Sequence, residues 1–283
     1  MADLDPATLF GVNGLIAVIT GGGTGIGLML AQALEANGAT VYILGRRLDV
    51  LEKAAGTAKH GKIHPIRADA TSKKDLSAAV GKIENDIGYI NLLIANHGIN
   101  GPVVPSLQKS APLSEFREKL WAIDTSDFTQ TYAVNNGGVF FAIVAFLDLL
   151  DKGNKKRNVV QKSQVIATSS IGAFNRVPLN GGYAYGGSKA GVVHLMKQFA
   201  STLVEYGIRS NVIAPGFYPS EMTQPMLDRG LKFTRDLVPE ERAGDVQDMA
   251  GAVLFLVSRA GAYINGNVLL TDGGRLSVLP ATY

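Results

Sequence analysis

The chain has no cysteine and only four histidines among its 283 residues. Without cysteine, disulfide bonds, thiolate catalysis and cysteine-ligated metals are excluded. The histidines, at positions 60, 64, 97 and 194, form no HxxxH or HxH pair. The sequence therefore predicts no metal site.

A large excess of charge of one sign is also missing. Lys and Arg number 27 and Asp and Glu number 24, which leaves a formal net charge of +3. That imbalance is too small to indicate binding to nucleic acid or to a membrane surface. The basic stretch "DKGNKKRN" at 151–158 is typical of a solvated loop.

Hydrophobic runs of membrane-spanning length, about 18 residues, are not found. The apolar stretch "GGVFFAIVAFLDLL" is interrupted at Asp148. The N-terminal sequence "MADLDPATLFGVNG" lacks the charged segment and the following apolar stretch of a signal peptide. These features lead us to expect a cytoplasmic protein.

The composition is that of a well-packed protein with many tight turns. Apolar residues make up 46% of the chain and charged residues 18%, and there are 33 glycines. No linker or composition shift divides it. We expect a single domain over 1–283, with an N-terminal extension at 1–13.

Short apolar runs alternate with helix-like stretches along the chain, which indicates an α/β protein with a doubly wound, Rossmann-type parallel sheet of about seven strands. The predicted strands are 15–20, 40–45, 62–67, 90–96, 164–169, 208–215 and 267–271, and the predicted helices are 27–38, 73–88, 129–153, 185–207 and 245–259. Two proline-containing segments, 99–120 and 217–242, do not fit the alternation. Long loops of this kind are usually functional, and we predict that 217–242 binds the substrate.

The stretch "TGGGTGIG" at 20–27 follows the first predicted strand and begins a helix. Its glycines at 21, 25 and 27 permit a sharp turn and a close approach of backbone to a pyrophosphate. The helix N-terminus offers free N–H groups to the same anion. This context favours a dinucleotide-binding loop.

The end of the second strand predicts which dinucleotide binds. An acidic residue there would bind the ribose 2′-hydroxyl of NAD, but this chain has Gly45 followed by Arg46 and Arg47. Guanidinium groups suit a 2′-phosphate. We therefore expect NADP(H), with two unselective, solvated arginines as the alternative.

In "YAYGGSK" at 183–189, Tyr185 and Lys189 are four residues apart and share one face of a helix. Tyr183 has Gly187 at that offset. A neighbouring ammonium favours the phenolate form of a tyrosine. Tyr185 is therefore the predicted general acid/base for a carbonyl or an alcohol.

Seven stretches in order make the chain similar to the short-chain dehydrogenase/reductase family over nearly its whole length. "TGGGTGIG" resembles TGxxxGxG, and "YGGSK" resembles YxxxK. The other five are "RADAT" (67–71), "ANHG" (95–98), "VNNGG" (134–138), "TSSIG" (168–172) and "APGFYPS" (214–220).

The resemblance implies a catalytic set of Asn135, Ser170, Tyr185 and Lys189. Asn136 competes with Asn135. The family's serine usually stands about 13 residues before the tyrosine, whereas Ser170 stands 15 before, so a two-residue insertion is implied and Ser169 remains an alternative. The implied cofactor-binding residues are Gly21, Thr24, Gly25, Ile26, Gly27, Arg46, Arg47, Asp69, Ala70, Asn96, Gly98, Tyr185, Lys189, Pro215, Gly216, Phe217 and Ser220.

His97 is a departure, because the family usually has alanine at this position of the ANHG stretch. We interpret it as a structural histidine. The sequence itself supplies no partner for its ring.

The function expected from these features is NADP(H)-dependent interconversion of a carbonyl and a secondary alcohol. Imine or enone reduction at the same site and a catalytically silent NADP(H)-binding protein are the alternatives. Apolar helices at 129–150 and 185–206 favour a homodimer or homotetramer. The predicted substrate is a small apolar or aromatic molecule, with candidate pocket residues Phe116, Trp121, Phe174, Phe217, Tyr218, Met222, Met226, Leu227 and Phe233.

Overall fold

The computed structural model describes residues 4–103, 111–177 and 182–283. Its described strands form one parallel sheet of seven strands, in the order β3-β2-β1-β4-β5-β6-β7. This confirms the predicted Rossmann-type sheet. The strands are β1 Ile16–Thr20, β2 Thr40–Gly45, β3 Ile63–Arg67, β4 Leu92–Ala95, β5 Gln164–Thr168, β6 Arg209–Pro215 and β7 Val268–Thr271.

Helices cover both faces of the sheet. All five predicted helical stretches are present, and the helix around Tyr185 begins at Gly182, earlier than predicted. The α-helices are α1 Pro6–Phe10, α2 Gly25–Ala36, α3 Leu48–Ala55, α4 Lys73–Asp86, α5 Leu113–Trp121, α6 Thr125–Tyr132, α7 Gly138–Lys156, α8 Gly182–Thr202, α9 Gln224–Asp228, α10 Val246–Val257 and α11 Arg275–Val278.

The prolines of segment 99–120 led us to expect an irregular loop, but part of the segment is helical. It contains most of α5, where Glu115 and Lys119 form an ion pair of 2.9 Å one turn apart. Such pairs and the placement of acid before base stabilise a helix. Residues 104–110 lie outside the described residues.

The hydrophobic core has one part on each face of the sheet. Successive strand residues point to opposite faces, so Val18 packs with Phe146 and Val192 on the α4, α7 and α8 side. Ile19 packs with Leu30 on the α2 and α10 side. Burial on both faces explains the continuous apolar strands.

The order of the strands reverses between β1 and β4. β1 pairs with β2 on one side and with β4 on the other. In open α/β sheets, ligands bind outside the carboxyl ends of the strands at such a reversal. The glycine-rich loop after β1 opens at this position.

The stretch Thr125–Lys156 runs through α6, a π-helical turn at Ala133–Gly137 and α7. By length and composition alone it could cross a membrane, which the search for an unbroken apolar run did not reveal. Val139, Ile143 and Phe146 of α7 are fully buried against the sheet and its neighbouring helices. This packing is that of a core helix.

Candidate active site

The loop between β1 and α2 is shaped to receive an anion. Gly21 and Gly25 have φ angles of +65° and +52°, which favour glycine. A Cβ on Gly27 would lie 2.1 Å from the Gly21 carbonyl oxygen. The side chain of Thr24 makes no capping hydrogen bond at the start of α2, so the helix N-terminus faces the loop uncapped.

This loop borders a cavity of about 370 Å³, which we call the nucleotide cavity. Most predicted cofactor residues line it. Gly27 does not line the cavity but packs against the backbone of Gly21 in the loop. The predicted residues in its wall are Gly21, Thr24, Gly25, Ile26, Arg46, Arg47, Asp69, Ala70, Asn96, Gly98, Tyr185, Lys189 and Ser220.

The two arginines after β2 differ in their partners. Arg47 Nη2 donates to both carboxylate oxygens of Glu221, at 2.8 and 2.9 Å. Arg46 is exposed and makes no ion pair with another described residue. Glu221 thus neutralises Arg47 and occupies its Nη2, a contact that the sequence could not reveal because the two residues are 174 positions apart.

Asp69 lines the same cavity. Its carboxylate accepts hydrogen bonds from the Thr71 N–H and hydroxyl, at 2.8 and 2.7 Å. Burial raises the pKa of Asp69, but the bonds from Thr71 and the nearby Arg46 bring it below its ordinary value. The group is therefore a charged acceptor at neutral pH.

His97 has a partner in Thr20, whose Oγ1 lies 2.7 Å from Nδ1 of the ring. Its other nitrogen, Nε2, is buried without a partner among the described residues. Burial and the charge of Lys189 lower the pKa of His97 to about 4. The ring is therefore neutral near pH 7, consistent with the structural interpretation.

Tyr185 and Lys189 lie on α8 as their spacing predicts. The Lys189 Nζ is 5.9 Å from the centre of the Tyr185 ring, and it donates to the Thr168 carbonyl at 2.9 Å. Burial lowers the pKa of Lys189 to about 8. Tyr183, in contrast, is 47% exposed and lines only the second cavity described below, not the nucleotide cavity.

The pKa of Tyr185 is raised in the protein alone, not lowered as the pairing with Lys189 led us to expect. Burial raises the pKa of the Tyr185 phenol above 10.0, and a hydrogen bond with Ser170 offsets part of this increase. Desolvation disfavours the phenolate. Tyr185 is consequently a protonated phenol at neutral pH.

The structure distinguishes the two candidate serines. Ser169 is 4% exposed, and its hydroxyl donates to the Lys189 carbonyl at 2.9 Å. Ser170 hydrogen-bonds Tyr185, and its Oγ also accepts the Gly172 N–H at 3.0 Å. Ser169 therefore holds β5 to α8, whereas Ser170 faces the reaction site.

Asn135 is fully buried within the π-helical turn. Its side chain exchanges two hydrogen bonds with the Ile99 backbone, at 2.8 and 2.9 Å, and donates to the Ser188 hydroxyl at 3.0 Å. A Cβ on Gly98 would lie 3.0 Å from Asn135 Oδ1 and 3.3 Å from Lys189 Nζ. Asn135 thus lies beside the lysine without lining either cavity.

A second cavity of about 650 Å³, here called the substrate cavity, begins where the nucleotide cavity ends. The residues that line both are Ile26, Ser169, Tyr185, Ser220 and Met222. Ser170 lines only the second. Among the other predicted cofactor residues, those in its wall and not in the nucleotide cavity are Pro215, Gly216 and Phe217.

The predicted aromatic pocket is confirmed only in part. Phe217, Tyr218, Met222 and Met226 line the substrate cavity. The other five candidates do not. One of them, Trp121, is 79% exposed on α5. The other four candidates outside the substrate cavity are Phe116, Phe174, Leu227 and Phe233.

The segment 217–242 joins the two cavities. It contains α9, and its Ser220 lies so close to the glycine-rich loop that a Cβ on Gly25 would be 2.8 Å from the Ser220 Cβ. Met222 contributes to both walls. The segment is positioned to contact a substrate and a nucleotide together.

Comparison with known proteins agrees with this arrangement. A family model described as enoyl-(acyl carrier protein) reductase matches residues 21–275. The short-chain dehydrogenase/reductase PhomF of Diaporthe leptostromiformis is 55% identical over 98% of this chain and 96% of its own length. The chain belongs to the short-chain dehydrogenase/reductase family.

Two further similarities extend this result. VdtF of Byssochlamys spectabilis, another short-chain dehydrogenase/reductase, is 43% identical over 99% of this chain and 98% of its own. The Pseudomonas aeruginosa RhlG/NADP active-site complex is 30% identical, with a TM-score of 0.79 over 94% of this chain and 98% of that one. The chain is an oxidoreductase of this family.

Proposed function

We propose that the protein is an NADP(H)-dependent reductase that converts a ketone into a secondary alcohol. The observation that carries this proposal is the position of Tyr185. Its phenol lines both cavities and hydrogen-bonds Ser170. A carbonyl group held there meets a proton donor beside the nucleotide site.

The residues present fit a dinucleotide. Gly21, Gly25 and Gly27 leave the space that side chains would fill, and the uncapped start of α2 offers its N–H groups. When bound, the cofactor supplies the hydride. The protein's part is to orient the reactants and to deliver the proton.

The chemistry of the protein side chains follows from their positions. Ser170 donates a hydrogen bond to the carbonyl oxygen and fixes it next to the phenol. Tyr185 then transfers its proton to that oxygen as a general acid. Lys189 is close enough to stabilise the phenolate that remains, because a nearby ammonium favours the charged form.

The selection of NADP(H) over NAD(H) rests on the end of β2. Gly45 leaves no carboxylate to repel a 2′-phosphate, and Arg46 is exposed without an ion pair among the described residues. The similar RhlG structure is an NADP complex. The similarity of this chain to RhlG supports NADP(H) as the cofactor.

The state of Tyr185 is compatible with reduction. Its raised pKa keeps the phenol protonated at neutral pH, which suits proton donation to a ketone. The reverse oxidation of an alcohol needs the phenolate and is therefore favoured by alkaline pH.

Enone reduction is a second candidate, because the matching family model is described as an enoyl reductase. The two reactions give different products from an α,β-unsaturated ketone. Carbonyl reduction yields the allylic alcohol, whereas enone reduction yields the saturated ketone.

The test is NADPH oxidation with a panel of ketones, diketones, quinones, enones and β-ketoacyl thioesters, with products identified by mass spectrometry. We expect alcohols and a preference for NADPH over NADH. A saturated ketone from every enone would favour the second candidate. Absence of turnover with tight NADPH binding would indicate a silent binding protein.

A further inference from the structure

The substrate cavity has three arginines in its wall. Arg176 follows the turn after β5, Arg229 follows α9 and Arg275 begins α11. They come from distant parts of the chain. We propose that this cavity binds a ketone that carries a carboxylate, held by these guanidinium groups; this inference rests on the proposed reductase function.

Arg275 is buried, with only 3% of its surface exposed, and its guanidinium is held in place by two contacts. Its Nη1 donates to the Leu237 carbonyl at 2.7 Å, and its guanidinium lies 4.7 Å from the centre of the Phe217 ring. The other guanidinium nitrogens have no hydrogen-bond partner among the described residues. They remain available as donors beside the cavity, and a fixed guanidinium loses little freedom on binding a carboxylate.

Arg176 and Arg229 are exposed, and neither forms an ion pair with a described residue. Some exposed arginines are paired, such as Arg235 with Glu241 and Arg242 with Asp248. What sets Arg176 and Arg229 apart from other unpaired, exposed arginines is that both line the substrate cavity.

No aspartate or glutamate lines the substrate cavity in the part of the chain that the structure describes. The charge of Asp272 offsets part of the decrease that burial causes in the pKa of Arg275. The carboxylate oxygens of Asp272 accept hydrogen bonds from the N–H groups of Gly274 and Leu276. Asp228 accepts from Gln224.

Three like charges around one cavity are unfavourable unless an anion accompanies them. A carboxylate suits the site because its two oxygens match the fork of a guanidinium. Phe217, Met222 and Met226 add apolar surface to the wall of the same cavity. The expected substrate has a ketone at Tyr185, an apolar body and a carboxylate at the arginines.

The experiment compares matched acids and amides. 4-Oxo-4-phenylbutanoate and its primary amide share the ketone and the aryl group, and homologues with one more and two more methylenes vary the distance to the charge. For the best-fitting chain length we expect kcat/KM for the acid to exceed that for the amide at least about tenfold, as a charge-assisted hydrogen bond gives. The preference should fall as salt is raised.

The double variant Arg176→Gln/Arg229→Gln should reduce the acid preference to below about threefold, because kcat/KM for the acid falls much more than kcat/KM for the amide. Both residues are exposed, so we expect the fold to persist. The control Arg117→Gln/Arg259→Gln removes the same charge from exposed positions that line neither cavity. It should keep the full preference.

Binding of unreactive 4-phenylbutanoate and 4-phenylbutanamide, measured by calorimetry, separates this inference from the proposed function. Tighter binding of the acid that is lost in the double variant supports the inference even if no ketone is reduced, a result that would overturn only the reductase proposal. Reduction of acids and amides with equal kcat/KM, or equal binding of the two unreactive probes, would overturn the inference and leave the reductase proposal standing.

Discussion

The ion pair between Arg47 and Glu221 leads to a prediction about cofactor affinity. Glu221 is on the segment after β6 and holds an arginine that we expect to bind the 2′-phosphate of NADPH. The substitution Glu221→Gln breaks the ion pair with Arg47 and removes a negative charge from the expected 2′-phosphate site. We expect NADPH to bind more tightly and NADH to bind as before.

The expected size of this effect follows from exposure and charge. The two side chains are 57% and 61% exposed, and such a surface pair contributes about 0.2–1 kcal/mol. Removing the repulsion between the carboxylate and a doubly charged phosphate contributes on the order of 1 kcal/mol in water. Together these give about 1–2 kcal/mol, or a roughly 5- to 30-fold lower Kd for NADPH.

The assay is titration of the variant with NADPH and NADH, followed by nucleotide fluorescence at low and high salt. Glu205→Gln, a change on the exposed turn after α8 and away from the nucleotide cavity, is the control. An unchanged Kd for NADPH would refute the reasoning. So would an equal gain for NADH, because NADH has no 2′-phosphate.

Four other outcomes are expected. Arg46→Ala should remove most of the NADPH preference over NADH, measured by the same titration. Gly27→Ala should abolish nucleotide binding or lower the melting temperature, because the new Cβ would lie 2.1 Å from the Gly21 oxygen. Since burial raises the pKa of Tyr185, kcat/KM for ketone reduction should stay level through neutral pH and fall only in alkali, while alcohol oxidation should rise with pH. Light scattering at micromolar concentration should show a dimer or tetramer, because Phe140 on α7 is 39% exposed; a monomer would contradict this.

The sheet was predictable because its strands are buried on both faces. Val18 and Ile19 belong to opposite cores, so β1 is apolar from Ile16 to Ile19 and the run is visible in the sequence. α5 was missed because prolines precede it, and its ion pair becomes visible only once the helix is known. Sequence periodicity reports local burial, not every local contact.

The candidate site was predictable where a fixed spacing determines geometry. Tyr185 and Lys189 share a helix face, and the glycines after β1 share one turn. The contact of Glu221 with Arg47 and that of His97 with Thr20 join residues far apart in sequence. The raised pKa of Tyr185 also escaped prediction, because it comes from burial, which depends on the packing of the whole site.

The most direct test of the proposed mechanism compares Tyr185→Phe with Tyr183→Phe on a ketone that the protein reduces with NADPH. Each change removes one hydroxyl from α8. Tyr185→Phe should lower kcat by about 10²–10⁴-fold with little change in NADPH affinity, as loss of a positioned proton donor predicts, and Tyr183→Phe should retain near-full activity. Full activity in Tyr185→Phe, or equal losses in the two variants, would contradict the assignment of Tyr185 as the proton donor.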